Sequence, residues 1–235
     1  MSNFYLEKKI IPDNKKNPIT LNWTIAKTYL LLSITLLSSI IWAKYQLYFM
    51  PLLIPLLISW FIISIIISFK ENLTKYLAPI YTVIFWLLLW VISIKFETLY
   101  NWIILQAITW TFWIFFIMLW LFKYNIIKVT EKFRSIVISS TLWIMLIYII
   151  SLFWSMTWWF NIPYIHDNWL FWILFSVFVV IVASFNLLLD FDNIQKWILN
   201  KAPKNYEWIA SFGLTVTIIW LYIEMLKLIA KIRWS

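Results

Sequence analysis

The sequence predicts an all-α, polytopic membrane protein folded as a seven-transmembrane-helix bundle, and three observations support this fold class. Hydrophobic residues make up 64% of the 235-residue chain and charged residues only 12%, a balance that ordinary soluble domains do not reach. Mean hydropathy is correspondingly high, at +0.86. Uncharged apolar runs of roughly 20 residues, the length that crosses the hydrocarbon core of a bilayer, recur along the chain.

Seven apolar runs are long enough to be candidate spans. They are Thr28 to Ala43, Tyr45 to Phe69, Tyr76 to Ile94, Thr98 to Phe122, a helix beginning near Ser135, Asn168 to Leu189, and Trp208 to Ala230. The uncharged stretch that begins at Ser135 is too long for one straight span. We therefore expect that helix to end near Trp154 and an interfacial loop, SMTWWFNIPYIHDN, to follow it.

The distribution of lysine and arginine predicts the orientation, because these residues accumulate in short cytoplasmic loops. With the N-terminus in the cytoplasm, fourteen of the 19 basic residues fall on the cytoplasmic side and five on the other. Lys227, Lys231 and Arg233 near the C-terminus are the exception to this pattern. Either the last helix crosses and leaves a basic tail outside, or it does not cross fully.

The polar residues form no familiar enzyme motif. The sequence has no glycine-rich nucleotide-binding loop, zinc-protease motif or serine-hydrolase motif, and it contains one histidine and no cysteine. We predict that the protein is not an enzyme and has no cofactor other than a potential Ca²⁺ ion. The net charge of +9 does not indicate nucleic-acid binding, because the basic residues lie in short loops between apolar runs. The lipid bilayer is the expected environment.

Acidic residues beside or within the apolar runs are the candidate functional groups, because an ionisable side chain is costly there. Asp190 and Asp192 follow the sixth run, and Glu224 lies inside the seventh. Their structural alternatives are local ion pairs, Asp192 with Lys196 and Glu224 with Lys227. Carboxylates gathered in a poorly hydrated bundle can sense protons and supply the oxygen ligands that Ca²⁺ takes, so we expect any Ca²⁺ site near Asp190.

Several segments carry a family resemblance. The longest runs from Phe175 to Ile232 and includes NLLLDFDNIQKWILNKAPKNYEW and WLYIEMLKLIAKI. The others are TLNWTIAKT at 20–28, LAPIYTVIFWLLLWVIS at 77–93, IILQAITWTFW at 103–113, IIKVTEKFR at 126–134 and IPYIHDNW at 162–169. In this order the segments resemble the bacterial branch of the Bax inhibitor-1/YccA-like (transmembrane BAX inhibitor motif) family, over nearly the whole chain after residue 19.

The resemblance implies a bundle whose last helix is central, formed by residues 25–232 behind a polar cytoplasmic segment at 1–24. Family members are described as pH-sensitive Ca²⁺ leak channels, and a bacterial relative as a modulator of a membrane-anchored ATP-dependent protease. In the better-studied branch, two aspartates on helices six and seven form a pH-sensing latch. Asp190 matches the helix-six aspartate. The helix-seven position falls on Thr217 or Glu224, so the chain departs from the aspartate pair.

Tryptophan is unusually abundant and glycine unusually scarce, with 19 tryptophans against one glycine. Where the resemblance is clearest, nine tryptophans stand where the relatives have glycine: Trp23, Trp86, Trp90, Trp102, Trp113, Trp143, Trp154, Trp169 and Trp197. Trp86 and Trp90 have the spacing of a small-residue packing motif, which tryptophan is too large to replace.

We therefore predict that these tryptophans are UGA codons that the organism reads as glycine. The alternative is a genuinely tryptophan-rich protein from an AT-rich genome that reads UGA as tryptophan, with aromatic belts at the membrane interfaces.

The leading functional hypothesis is a pH-sensitive Ca²⁺ leak or ion-permeation protein, multi-pass in the inner or plasma membrane of the cell. Protonation around Asp190 would gate it, with contributions from Asp192 and Glu224. The alternative is a non-conducting regulator that binds a membrane-anchored ATP-dependent protease. Ca²⁺, protons and such a protease are accordingly the expected partners.

Overall fold

Helices dominate the computed structural model, which describes residues 18–34, 53–70, 73–157 and 169–234. These residues form seven helices and no β-strand. The helices are α1 (21–34), α2 (Leu53–Phe69), α3 (Thr74–Leu99), α4 (Ile103–Lys123), α5 (Glu131–Thr157), α6 (Trp169–Leu199) and α7 (Tyr206–Trp234). The predicted all-α polytopic fold is confirmed.

Five of the described helices, α3 to α7, are long and apolar enough to cross a membrane. Helix α2 has 17 residues and contains a shorter apolar segment, Ile58–Ile67. Helix α1 begins at residue 21, inside the polar segment predicted for residues 1–24. Most of the first predicted span, Thr28 to Ala43, and the start of the second lie outside the described residues.

Helix α6 continues to Leu199, although the apolar run predicts an end at Leu189. Two features carry it onward. Phe191 and Ile194 remain buried three residues apart on one face. Asp192 and Lys196, one turn apart on the helix, form an ion pair. The two aspartates singled out in the sequence are therefore inside a helix rather than at its end.

The boundaries of α4 and α5 also differ from the predicted ones. Helix α3 runs to Leu99, and a turn precedes the start of α4 at Ile103, so α4 does not begin at Thr98. Helix α5 starts at Glu131, where the Thr130 hydroxyl accepts the Phe133 N–H at 3.2 Å as an N-cap. It ends at Thr157 rather than near Trp154. The rest of the predicted interfacial loop, 158–168, lies outside the described residues.

The described residues divide into two compact units. Unit 1 comprises the chain up to Ile92 together with Asp192–Val216, and unit 2 comprises Ser93–Phe191 together with the chain from Thr217 onward. Helices α3, α6 and α7 contribute to both. Unit 1 contains an aromatic cluster of Trp60, Tyr81, Phe85 and Phe212. Unit 2 has an apolar core of Ile144, Val179 and Val182, flanked by Tyr148, Phe175 and Trp220.

Helix α7 is the most deeply buried of the five candidate spans. In its most apolar window 61% of the residues are buried, compared with 11% in α5 and 17% in α4. A helix that is apolar all round and buried is typical of the interior of a bundle. This burial agrees with the central position that the family resemblance implies for the last helix.

Candidate functional site

The Asp190 carboxylate, in unit 2, is held on one oxygen and unpaired on the other. A side-chain hydrogen bond joins it to Thr217 of α7, and Arg134 of α5 is close enough to act on it electrostatically. Its Oδ2 atom is buried and has no hydrogen-bond partner among the described residues. The Thr217 hydroxyl therefore donates to Oδ1. The neighbouring residues Leu189 and Phe191 are buried, so the carboxylate lies in apolar surroundings.

Asp192 is placed differently, although it is only two residues away on α6. Its Oδ2 atom lies 2.8 Å from Lys196 Nζ, and the Lys196 side chain is half-exposed. This is the local i,i+4 ion pair that the sequence offers as the structural alternative. Asp192 is thus occupied by a neighbour on its own helix.

Glu224, in unit 2, is almost fully buried on α7 and is paired at both carboxylate oxygens. Tyr148 Oη donates to Glu224 Oε2 at 2.9 Å, and Lys227 Nζ donates to Oε1 at 3.0 Å. The same Lys227 nitrogen lies 4.5 Å from the centre of the Tyr148 ring. The local partner expected from the sequence is therefore present, together with a tyrosine that the sequence does not reveal.

Of the two alternatives for the helix-seven partner of Asp190, the structure places Thr217 at the carboxylate. Glu224 lies seven residues further along α7 and bonds to Tyr148 and Lys227 instead. A hydroxyl group faces Asp190 where the related latch has a second carboxylate. Thr217 can donate a hydrogen bond but cannot share a proton as an acid would.

Sequence reasoning missed the most highly connected carboxylate of unit 1, Glu207, which is fully buried in the first turn of α7. Its Oε1 accepts hydrogen bonds from the Thr20 N–H at 3.1 Å and the Thr20 hydroxyl at 3.3 Å. Its Oε2 accepts from Lys27 Nζ, which also lies 4.9 Å from the Trp208 ring centre. Lys27 is counted in the sequence only as a topological charge.

The sequence-level signal for this cluster is the pattern of small polar residues around the two charges. Thr24 and Ser211 are buried, and the Ser211 hydroxyl donates to the Thr24 carbonyl at 2.8 Å. These residues lie four positions from Thr20 and Glu207 respectively, on the same helix faces. The facing rows tie α1 to α7 within unit 1.

The basic residues at the end of α7 bond to groups of unit 2. Lys231 Nζ donates to the Ser176 hydroxyl at 2.6 Å and to the Trp172 carbonyl at 3.3 Å. Arg233 donates to the Asn101 carbonyl and to Gln106 Oε1, both at 2.9 Å. These cations therefore have intramolecular partners, which explains why they can depart from the loop-charge pattern.

The nine tryptophans at suspected glycine positions fall into distinct settings. Trp102 has φ 67° and ψ 12°, in the left-handed region. Trp90 is half-buried, and its indole Nε1 is buried without a hydrogen-bond partner among the described residues. Of the others, Trp23, Trp113 and Trp143 are exposed and Trp197 is half-buried, whereas the side chains of Trp86, Trp154 and Trp169 lie outside the described part.

The described residues hold no preformed metal-binding cluster. Among them, no three histidine, cysteine, aspartate or glutamate side chains are close enough together to hold a metal ion. Ca²⁺ takes six to eight oxygen ligands in a stable protein site. Asp190 and Thr217 alone fall far short of that number, so they suit a brief encounter with a cation rather than its storage.

The helices and their interhelical polar contacts define a class: a multi-pass α-helical membrane protein. A family model described as Bax inhibitor 1 like matches residues 3–234, nearly the whole chain. The protein belongs to the Bax inhibitor 1 like family, and the resemblance seen in its sequence is confirmed. A comparison with curated proteins gave no match.

Proposed function

We propose that this family member is a pH-sensitive Ca²⁺ leak protein and that Asp190 is its proton-sensing group. One observation supports the proposal above the others: the buried Oδ2 of Asp190 has no hydrogen-bond partner among the described residues. Buried polar atoms normally have one, and an exception calls for a physical explanation. A proton or a cation arriving at Oδ2 would supply the missing partner.

Competition between these two occupants makes ion passage depend on pH. When Asp190 is ionised, Oδ2 attracts a cation, and the Thr217 hydroxyl and Arg134 stabilise the remaining charge. When Oδ2 takes a proton, the carboxyl group is neutral and the attraction is lost. Ca²⁺ flux is therefore expected to fall as the pH falls.

The proposal places the protein in the cell membrane with its N-terminus in the cytoplasm, as the lysine and arginine distribution indicates. The basic residues at the end of α7 do not weigh against this orientation. Glu224, Ser176 and Gln106 provide partners for Lys227, Lys231 and Arg233 respectively. A cation held by the protein is a weaker topological signal than one in a loop.

The test is Ca²⁺ flux into liposomes that contain the purified protein, measured at several pH values. Asp190→Asn should flatten the pH profile, because the amide keeps an acceptor for Thr217 but cannot be ionised. Asp192→Asn is the matched control, since it makes the same change on the same helix at a carboxylate paired with Lys196. It should leave the profile as in the wild type.

Two outcomes would overturn the proposal. In the first, Asp190→Asn retains the wild-type pH profile. In the second, the wild-type protein conducts no Ca²⁺ at any pH. The second outcome would direct attention to the alternative, a regulator that binds a membrane-anchored ATP-dependent protease, which co-purification with such a protease would test.

A further inference from the structure

Trp102 adopts a backbone conformation that suits glycine. It is the N-cap residue of α4, with φ 67° and ψ 12°, and its side chain is 68% exposed. In the left-handed region the Cβ atom of an L-residue comes too close to the following carbonyl oxygen, whereas glycine has no Cβ. For a residue as bulky as tryptophan this conformation is a genuine outlier.

The surrounding contacts hold the turn in this conformation. Glu97 Oε1 accepts the Trp102 N–H at 2.7 Å, and Glu97 Oε2 accepts the Ile104 N–H at 3.0 Å. From the other side, Arg233 donates to the Asn101 carbonyl at 2.9 Å. Residues 101 to 104 are thus fixed at several points that do not involve the Trp102 side chain. The path of the backbone sets the conformation, and the indole must tolerate it.

The other described residues with positive φ differ in kind from Trp102. Asn125 (φ 53°) belongs to a residue type whose short polar side chain tolerates the left-handed region. Lys201 (φ 50°) follows the end of α6, a position where helices commonly turn left-handed. Trp102 precedes a helix instead, and its side chain gives no cap hydrogen bond. Glycine is among the preferred residues at such an N-cap.

Trp90 on α3 provides a second, independent observation. Its indole Nε1 is buried and lacks a hydrogen-bond acceptor among the described residues. A buried N–H without an acceptor is destabilising, and buried tryptophan usually avoids it. Glycine would remove the unpaired donor. Spanning helices also use glycine at close contacts, and one glycine in 235 residues leaves almost none for that purpose.

We infer that position 102 is glycine in the protein as its own organism makes it, because that organism reads as glycine the UGA codon read here as tryptophan. The same codon accounts for position 90 and for the seven other tryptophans that the sequence comparison marks as glycine positions. The inference concerns the covalent identity of these residues and is independent of whether the protein conducts Ca²⁺.

The direct test is peptide sequencing by mass spectrometry of the protein isolated from its own organism. The tryptic peptide 96–123 should contain glycine at 102, and the peptide 197–201 should read GILNK. The peptide 205–227 is the control in the same digest, because it should retain tryptophan at 208 and 220. Tryptophan at 102 would overturn the inference, and tryptophan at 197 would overturn its extension to the other positions.

A second test uses the chain as it stands here, made in a host that reads UGA in the standard way. Trp102→Gly and Trp102→Ala both remove the indole, and only glycine lacks the Cβ atom. Trp102→Gly should therefore melt about 2 to 4 °C above Trp102→Ala. Trp110 is the matched control, since it is similarly exposed but lies inside α4.

At position 110 the order should reverse, with Trp110→Gly melting below Trp110→Ala, because glycine weakens a helix interior. Equal melting of the two variants at position 102 would remove the conformational basis of the inference. The comparison of glycine with alanine at each site cancels the loss of the indole itself, so folding defects common to both variants do not obscure the result.

Discussion

Glu207 in unit 1 and Asp190 in unit 2 are both carboxylates in apolar surroundings, but their environments are opposite. Glu207 is fully buried and accepts hydrogen bonds from the Thr20 backbone, the Thr20 hydroxyl and Lys27. Asp190 has a hydrogen bond with Thr217, and its Oδ2 is buried without a hydrogen-bond partner among the described residues. One carboxylate is saturated and the other is not.

The difference teaches which kind of acidic group carries structure and which is open to function. A saturated buried ion pair leaves no position for a proton or a cation, and removing one partner leaves the other charge buried and alone. An unsaturated oxygen can gain a partner without breaking an existing contact. Substituting the amide for the acid at each site measures this difference, and the predictions below follow in order of expected effect on stability.

The largest effect is expected for Glu207→Gln. The variant leaves the largely buried Lys27 ammonium without its counter-charge, which typically costs about 3 to 5 kcal/mol. The free energy of unfolding, measured with a denaturant in detergent micelles, should fall by that amount. The double variant Glu207→Gln with Lys27→Met is the control and should recover part of the loss. An unchanged single variant would show that the pair contributes little to unit 1.

A smaller effect is expected for Tyr148→Phe. The change removes the hydroxyl that donates to Glu224 and keeps the aromatic ring. A hydrogen bond to a charged group contributes about 1.5 to 3 kcal/mol. The same unfolding assay should show a loss in that range. Tyr124→Phe, at an exposed tyrosine, should show none. Equal effects at the two sites would contradict the assignment of Tyr148 as a partner of Glu224.

Asp190→Asn should not lower the free energy of unfolding by more than about 1 kcal/mol. The amide oxygen still accepts the Thr217 hydroxyl, and the buried charge with its unpartnered oxygen is removed. The chemical change is the same as in Glu207→Gln, so the two variants compare the two sites directly. A loss as large as that of Glu207→Gln would show that Asp190 is as fully integrated as Glu207.

The smallest effect is expected for Asp192→Asn. The ion pair with Lys196 is half-exposed, and such pairs contribute about 0.3 to 0.5 kcal/mol. The difference from wild type should shrink further as salt is added, because exposed pairs are screened. Unfolding curves at low and high ionic strength would measure this. A large, salt-independent loss would indicate a buried role that the structure does not place there.

Local features of the site could be predicted from the sequence because they depend on helical periodicity alone. Asp192 with Lys196 and Glu224 with Lys227 are one turn apart, so any helix through these residues brings them together. Asp190 could be named as a candidate because an acid beside an apolar run is costly. The length of α6 could not, since its last ten residues continue through contacts of Phe191 and Ile194 rather than through an apolar run.

By itself, the sequence determined that this is a multi-pass helical membrane protein and which family it belongs to, because bilayer thickness imposes long apolar runs that composition reveals. The tertiary structure alone decided the partners across helices: Lys27 with Glu207, 180 residues apart, and Thr217 rather than Glu224 with Asp190. It also decided the left-handed turn at Trp102, held by Glu97. Such contacts depend on how helix faces pack, and spacing along one helix does not specify which face meets which neighbour.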